Sequence, residues 1–167
     1  LSLIVSAFAP LRDASKALTP QIDLKSHQST ELIFIDLAKG NKRMGGSIVS
    51  QITSQLIGPV PDVECVEEMP GLVKVFHRLI KQGKILSYHD RSDGGLICTF
   101  IEMAFAGRSG LDINLDQICK SENEILKSLF NEELGIIIQV PSECTKEVID
   151  LITGVGLVGH VHRIGTP

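Results

Sequence analysis

Hydrophobic positions along this chain fall into short runs with two different spacings, and the spacings predict its elements. Runs rich in Val, Ile, Leu or Phe and bounded by turn residues predict strands over Ser2–Ala9, Glu31–Leu37, Lys84–Tyr88, Leu111–Leu115, Leu134–Val140 and Leu157–Arg163. Apolar residues recurring at helical spacing predict helices over Gly46–Ile57, Gly71–Gln82, Gly94–Ala106, Ser121–Phe130 and Ser142–Thr153. The second helix is the clearest, because Leu72, Val75, Phe76, Leu79 and Ile80 make one apolar stripe. The order is β-β-α-α-β-α-β-α-β-α-β. Strands and helices mostly alternate, but only a polar arm, Leu11–Thr30, separates the first two strands. A mixed sheet flanked by helices, in the α+β class, is therefore the expected fold.

Composition narrows the function classes. A chain of 167 residues with 43% hydrophobic content can bury a real core, and its length points to one domain over residues 1–167. The net charge of −4, with six Phe, one Tyr and no Trp for stacking, argues against a nucleic-acid footprint. Cys65, Cys98, Cys119 and Cys144 stand singly, without zinc or disulfide spacing, so a reducing cytoplasm is the expected compartment. No apolar window reaches the roughly 18 residues of a membrane span. The opening Leu1–Ala9 lacks both a Met and a basic flank, and it reads as a strand rather than a signal peptide. Both ends read as cuts from a longer polypeptide.

The densest chemistry lies in Ser87-Tyr-His-Asp-Arg-Ser-Asp-Gly-Gly-Leu96, where a strand runs into an acidic, glycine-rich corner and then a helix. Asp90 and Asp93 offer hard oxygen ligands, and Gly94 and Gly95 let a ligand approach the amides that open the helix. His89 has a setting suited to acid–base or phosphate work. The same residues also suit an ordinary corner, with Ser92 or Asp93 as the helix cap. Gly40-Asn-Lys-Arg-Met-Gly-Gly-Ser47 has Walker-like glycine spacing, but Gly46 stands where the phosphate-binding lysine belongs, which leaves a generic anion site or a plain turn. Glu132 and Glu133 offer either a ligand pair or a solvated connector. Asp112, Asn114 and Asp116 lack the rest of a calcium loop. His160 and His162 share a strand face without a third metal ligand.

Taken in order, the segments resemble one family. Y-H-D-R-S-D-G-G-L at 88–96 is similar to large-type formylglycinamide ribonucleotide amidotransferases, the phosphoribosylformylglycinamidine synthases. So are S-L-I-V-S-A-F-A-P at 2–10, D-L-A-K-G-N at 36–41 with G-G-S at 45–47, E-M-A-F-A-G at 102–107 with G-L-D-I at 110–113, and L-F-N-E-E-L-G at 129–135. The resemblance covers nearly the whole chain. It implies the second C-terminal half of a duplicated ligase region related to aminoimidazole ribonucleotide synthetase, folded as a three-layer α/β/α sandwich. It also implies a reaction in which ATP activates the formyl amide oxygen and ammonia from glutamine displaces phosphate through an iminophosphate-type intermediate.

The resemblance implies that Asp90 holds magnesium on ATP or ADP phosphates, with His89, Arg91, Asp93, Gly94 and Gly95 at the nucleotide. It places Glu132 and the Arg12–Asp13 arm toward the ligand cleft. The expected partners are an N-terminal ATP-binding half and a glutaminase domain of the same polypeptide. Without them the fragment is expected to be inert. Two readings stay open: a working ligase half, or a non-catalytic module that binds a structural nucleotide or buttresses its neighbours.

Overall fold

The computed structural model describes residues 4–10, 13–26, 28–55, 57–64 and 66–167. Its strands are β1 (Thr30–Asp36), β2 (Ser87–Asp90), β3 (Asp112–Ile113), β4 (Gly135–Pro141) and β5 (Val161–Thr166). Its helices are α1 (Ile48–Thr53), α2 (Met69–Lys81), α3 (Gly95–Gly107), α4 (Ile125–Phe130) and α5 (Thr145–Thr153). Every predicted helix is present, but the fourth and fifth each begin with a short 3-10 turn, Glu122–Glu124 and Ser142–Cys144.

The strands form one sheet in the order β2-β4-β1-β5-β3, and each neighbouring pair is antiparallel. The α+β class agrees with the sequence reading, while the sheet is antiparallel rather than mixed. The cause lies in the connections. Helical crossovers do run β1, β2 and β3 in one direction, as the alternation of elements requires. However, β4 inserts between β1 and β2, and β5 between β1 and β3, so no two strands of like direction touch.

Helices cover both faces of the sheet, which makes three layers. On one face Ile33 and Ile35 of β1 and Ile136, Ile138 and Val140 of β4 pack with Leu72, Phe76 and Leu79 of α2 and Val148 and Ile152 of α5. On the other, Leu32, Phe34 and Ile137 pack with Leu96, Phe100 and Met103 of α3. Because β1 and β4 are buried on both sides, they read as continuous apolar runs. Gln139 is the exception in β4. Its buried amide donates to the Asp23 carbonyl at 2.7 Å and accepts from the Asp23 N–H at 2.8 Å, which docks the polar arm on the sheet. Nearby, Ile22 enters the α3-side core.

The strand expected over Ser2–Ala9 does not form in its described part. Residues 4–9 have no regular structure, and Ile4 and Phe8 are 90% and 94% exposed. An apolar run becomes a strand only where another strand can accept its hydrogen bonds, and none of the described strands pairs with this one. Ser2 and Leu3 lie outside the described residues, as do Arg12 and Cys65 of the sequence reading.

Candidate nucleotide-binding turn

Edge strand β2 carries Tyr88, His89 and Asp90 to the end of the sheet where β4 begins, with Asp90 opposite Ile136. Asp90 is exposed, and the Tyr88 hydroxyl donates to its Oδ1 at 2.5 Å. Burial, reinforced by this carboxylate, holds the Tyr88 phenol well above its ordinary pKa, so Tyr88 remains a donor to Asp90. His89 lies on the α3 side, its Nε2 2.5 Å from Glu102 Oε2. Asp93 is exposed in the turn that follows.

Arg91 behaves differently from its neighbours. Its side chain is buried, with Nε donating to the Glu133 carbonyl at 2.5 Å and one terminal nitrogen to the Leu134 carbonyl at 2.9 Å and Asp36 Oδ1 at 3.2 Å. The guanidinium also lies 5.0 Å over the Phe34 ring. Burial lowers its pKa and Asp36 opposes the shift, so the ion pair keeps a cation at the base of the turn. Arg91 therefore braces the end of the sheet from inside.

The two glycines of the turn are also committed. Gly95, at φ +76°, passes so close to the α4 end that an added Cβ would lie 2.6 Å from the Leu129 carbonyl oxygen. Gly94, at φ +82°, donates its N–H to Glu132 Oε1 at 2.9 Å. The same oxygen accepts from the Ile48 N–H at 2.8 Å, at the start of α1. The Glu132 carboxylate thus takes one amide from each glycine-rich turn and ties the Gly45–Ser47 segment to the Ser92–Gly95 segment. Of the two readings of these turns, the internal carboxylate fills the anion position at both amides. Ser47 Oγ accepts from the Ser50 N–H at 3.2 Å and completes the α1 cap.

Glu133 is fully buried and is no solvated connector. It receives Arg43 through Nε at 2.6 Å and a terminal nitrogen at 2.8 Å, and it also accepts the Arg43 N–H at 2.9 Å. Arg43 reaches Glu64 as well, at 2.8 Å. The sequence reading did not single out Arg43, Glu133 as its partner, or Asp36. A basic residue inside a glycine loop and a doubled acid before a buried strand were the available signals, but pairing them needs the fold. In the polar arm, Asp13 is spent locally, accepting from Ser15 N–H at 3.1 Å and Ser15 Oγ at 2.6 Å.

His162 of β5 stacks on Phe34 with ring centroids 6.1 Å apart. Burial, with some repulsion from His160, depresses its pKa, and Asp36 opposes the shift. The unfolded chain therefore binds a proton that the folded chain resists. Its contribution to stability is complete above the ordinary histidine pKa of about 6.5 and is lost as pH falls through the depressed folded value. Urea midpoints measured across this range should decline on acidification, and less so in His162→Gln. Parallel curves for the two proteins would exclude His162 as the cause.

Two helical layers around an antiparallel sheet, closed by a strand-to-helix glycine turn, define the class. Residues 37–166 match the family described as AIR synthase related protein, C-terminal domain, and the chain belongs to that family. Among individual relatives, the phosphoribosylformylglycinamidine synthase of Schizosaccharomyces pombe is 45% identical over 166 residues, covering 99% of this chain and 12% of that protein. The chain therefore spans a small part of the relative it matches. T. maritima PurL complexed with FGAR shares the fold, with a TM-score of 0.70 at 13% identity over 92% of this chain and 26% of that one. The hydrogenase maturation protein HypE in complex with ATP shares it with a TM-score of 0.58 at 16% identity, over 92% of this chain and 45% of that one. Among the described residues no helix is long and apolar enough to cross a membrane.

Proposed function

We propose that residues 1–167 form one AIR-synthase-type C-terminal domain within a formylglycinamide ribonucleotide amidotransferase. In that enzyme ATP activates the formyl amide of formylglycinamide ribonucleotide, and ammonia from glutamine then gives the amidine, ADP, phosphate and glutamate. The observation that carries this reading is the 45% identity to the S. pombe enzyme along 99% of the chain. The partners are the ATP-binding half and the glutaminase domain of the same polypeptide, and the compartment is the cytoplasm. The isolated chain is inert, because part of a shared cleft cannot align ATP, substrate and ammonia.

Within this reading the exposed Asp90 carboxylate is the magnesium ligand. No group of three or more His, Cys, Asp or Glu side chains is placed to hold a metal among the described residues. A single exposed carboxylate, held by the Tyr88 hydroxyl, suits magnesium, whose shell phosphates and water would complete. When bound, the ion neutralises phosphate charge. Tyr88 orients Asp90 by its hydroxyl, and an apolar cavity of about 440 Å3 lined by Phe76, His77, Ile80 and Leu134 opens beside them. Asp93 flanks the nucleotide in the turn, and Arg91 supports the turn from inside; His89, on the opposite sheet face and paired with Glu102, and Gly94 and Gly95, whose amides are held by Glu132 and Ser92, shape the corner without facing the ligand.

Asp90→Asn in the full-length polypeptide tests the assignment. Retained nucleotide should fall by roughly tenfold or more, since even indirect partners of metal ligands cost that much. At an active nucleotide site turnover collapses first. At a structural site thermal stability and nucleotide content fall ahead of the chemical rate. A variant normal in magnesium-nucleotide content, stability and turnover would remove Asp90 from the site.

A further inference from the structure

A second cavity, of about 490 Å3, opens beside the end of β1, between the Lys39–Lys42 turn, the Gln117–Lys120 segment, α4 and the Gly159–His162 segment. Its volume lies in the range of small-molecule sites. It collects features that the proposed ligase role leaves unused: the lysines of the first glycine-rich turn, and the histidine pair of β5. Its charge opposes that of the chain. Five fixed cations, Lys39, Lys42, Arg91, Lys120 and Lys127, line it against two carboxylates, Asp36 and Glu124, whereas the chain as a whole carries −4.

Both carboxylates are already engaged within the protein. Asp36 accepts from Arg91 and, through Oδ2, from the Gly40 N–H at 2.7 Å. Glu124 accepts from Lys42 at 2.9 Å and from the Lys120 N–H at 3.2 Å, and the Lys42 bond lowers its pKa. Lys39 is likewise paired, with Glu68 at 2.8 Å, and Lys120 interacts electrostatically with Glu124, so three carboxylates answer the five cations and the exposed Lys127 has no ion pair among the described residues. Positive charge therefore exceeds its internal partners in a concave, partly enclosed space, where field lines concentrate. The Phe34–His162 stack supplies a flat aromatic wall. An extended nucleic acid would need a basic stripe; a compact cavity of this charge suits a small dianion carried on an organic body.

We propose that this cavity binds the phosphate group of a small phosphorylated molecule, held by Lys120, Lys127 and His160 against the Lys39–Lys42 turn. The proposal stands on this lining and does not depend on a nucleotide at Asp90. Backbone-amide NMR of the full 167-residue chain, titrated with inorganic pyrophosphate, inorganic phosphate and ribose 5-phosphate, provides the test.

Saturable shifts are expected at Gly40, Asn41, Lys120, Lys127 and Gly159. The double variant Lys120→Ala, Lys127→Ala should weaken binding by about tenfold or more, as loss of charge-assisted hydrogen bonds does, and added salt should weaken it further. Tighter binding of ribose 5-phosphate than of phosphate would place an organic body on the aromatic wall, and equal affinity would assign inorganic phosphate. No saturable shift up to about 10 mM, shifts confined to Ser92–Gly95, or binding unchanged in the double variant would each overturn the proposal. Both substituted lysines are exposed, so the variant should keep the wild-type spectrum elsewhere. If the isolated chain gives no folded spectrum, equilibrium dialysis of radiolabelled pyrophosphate against the full-length polypeptide makes the same comparison, and equal binding by wild type and double variant there would also overturn it.

Discussion

Gly95→Ala should lower the melting temperature by about 10 °C, a large effect for one methyl group. At φ +76° any residue with a Cβ is strained, at a cost of about 1–2 kcal/mol. The added methyl would also lie 2.6 Å from the Leu129 carbonyl oxygen, 2.7 Å from that of Asn131 and 2.8 Å from the Phe130 carbonyl carbon. These are backbone atoms, so no rotamer change relieves the clash, and overpacking of this kind typically adds about 1–3 kcal/mol. Each kcal/mol moves the melt of a domain this size by about 2–4 °C. Gly40→Ala is the matched control, with φ +86° but nothing within 4 Å of the new Cβ. It carries the strain alone and should lose only about 3–5 °C. Equal losses for the two variants would mean that the close approach of α3 to the α4 end is not what requires glycine. Because Gly95 opens α3 directly after the turn, Gly95→Ala should also displace Gly94 from Glu132 and reduce nucleotide retention in the full-length polypeptide.

Removing the buried carboxylate of Glu133 should be almost as damaging. Glu133→Ala leaves Arg43 without its bidentate partner and strands the Arg43 N–H that the same carboxylate accepts. Breaking a buried pair from one side costs about 3–5 kcal/mol, and the partial exposure of Arg43 sets the expectation near 3 kcal/mol. Chemical denaturation of Glu133→Ala, Arg43→Met and the double variant provides the check. In the double variant no unpaired charge remains, so it should be more stable than Glu133→Ala. Strictly additive losses would show that the two side chains do not act as a pair. Because Glu133 points into the protein, the proposed ligase role predicts that stability falls with little change in the rate of whatever fraction of the full-length polypeptide stays folded.

These two sites mark where reading the sequence reached and where it stopped. The run Leu32–Ile35 and the run Ile136–Ile138 announced strands, because only residues buried on both faces are apolar without alternation. The stripe of α2 announced its helix for a related reason: one face meets the sheet and the other meets water. The Ser87–Leu96 corner was legible as a strand-to-helix turn, since its glycines stand where backbone conformation demands them. The roles within it were not all legible. Arg91 reads like a ligand residue and instead braces Asp36, Glu133 and Leu134 from inside. Glu132 reads like a surface acid and instead holds the amides of two turns. Ser2–Ala9 has strand composition, but composition cannot supply the hydrogen-bonding neighbour that a strand needs.

By itself the sequence determined the α+β class, the positions of the helices and inner strands, and through its ordered segments the family. Each rests on local spacing or on residue order, which survive without coordinates. Tertiary structure alone decided that every strand neighbour is antiparallel, because insertion of β4 and β5 between like-directed strands depends on long-range pairing. It alone decided that Arg43 meets Glu133 across 90 positions of chain. It also gathered Lys39, Lys120, Lys127 and His160 around one cavity, because charges distant in sequence form a site only when the layers fold them onto a common wall.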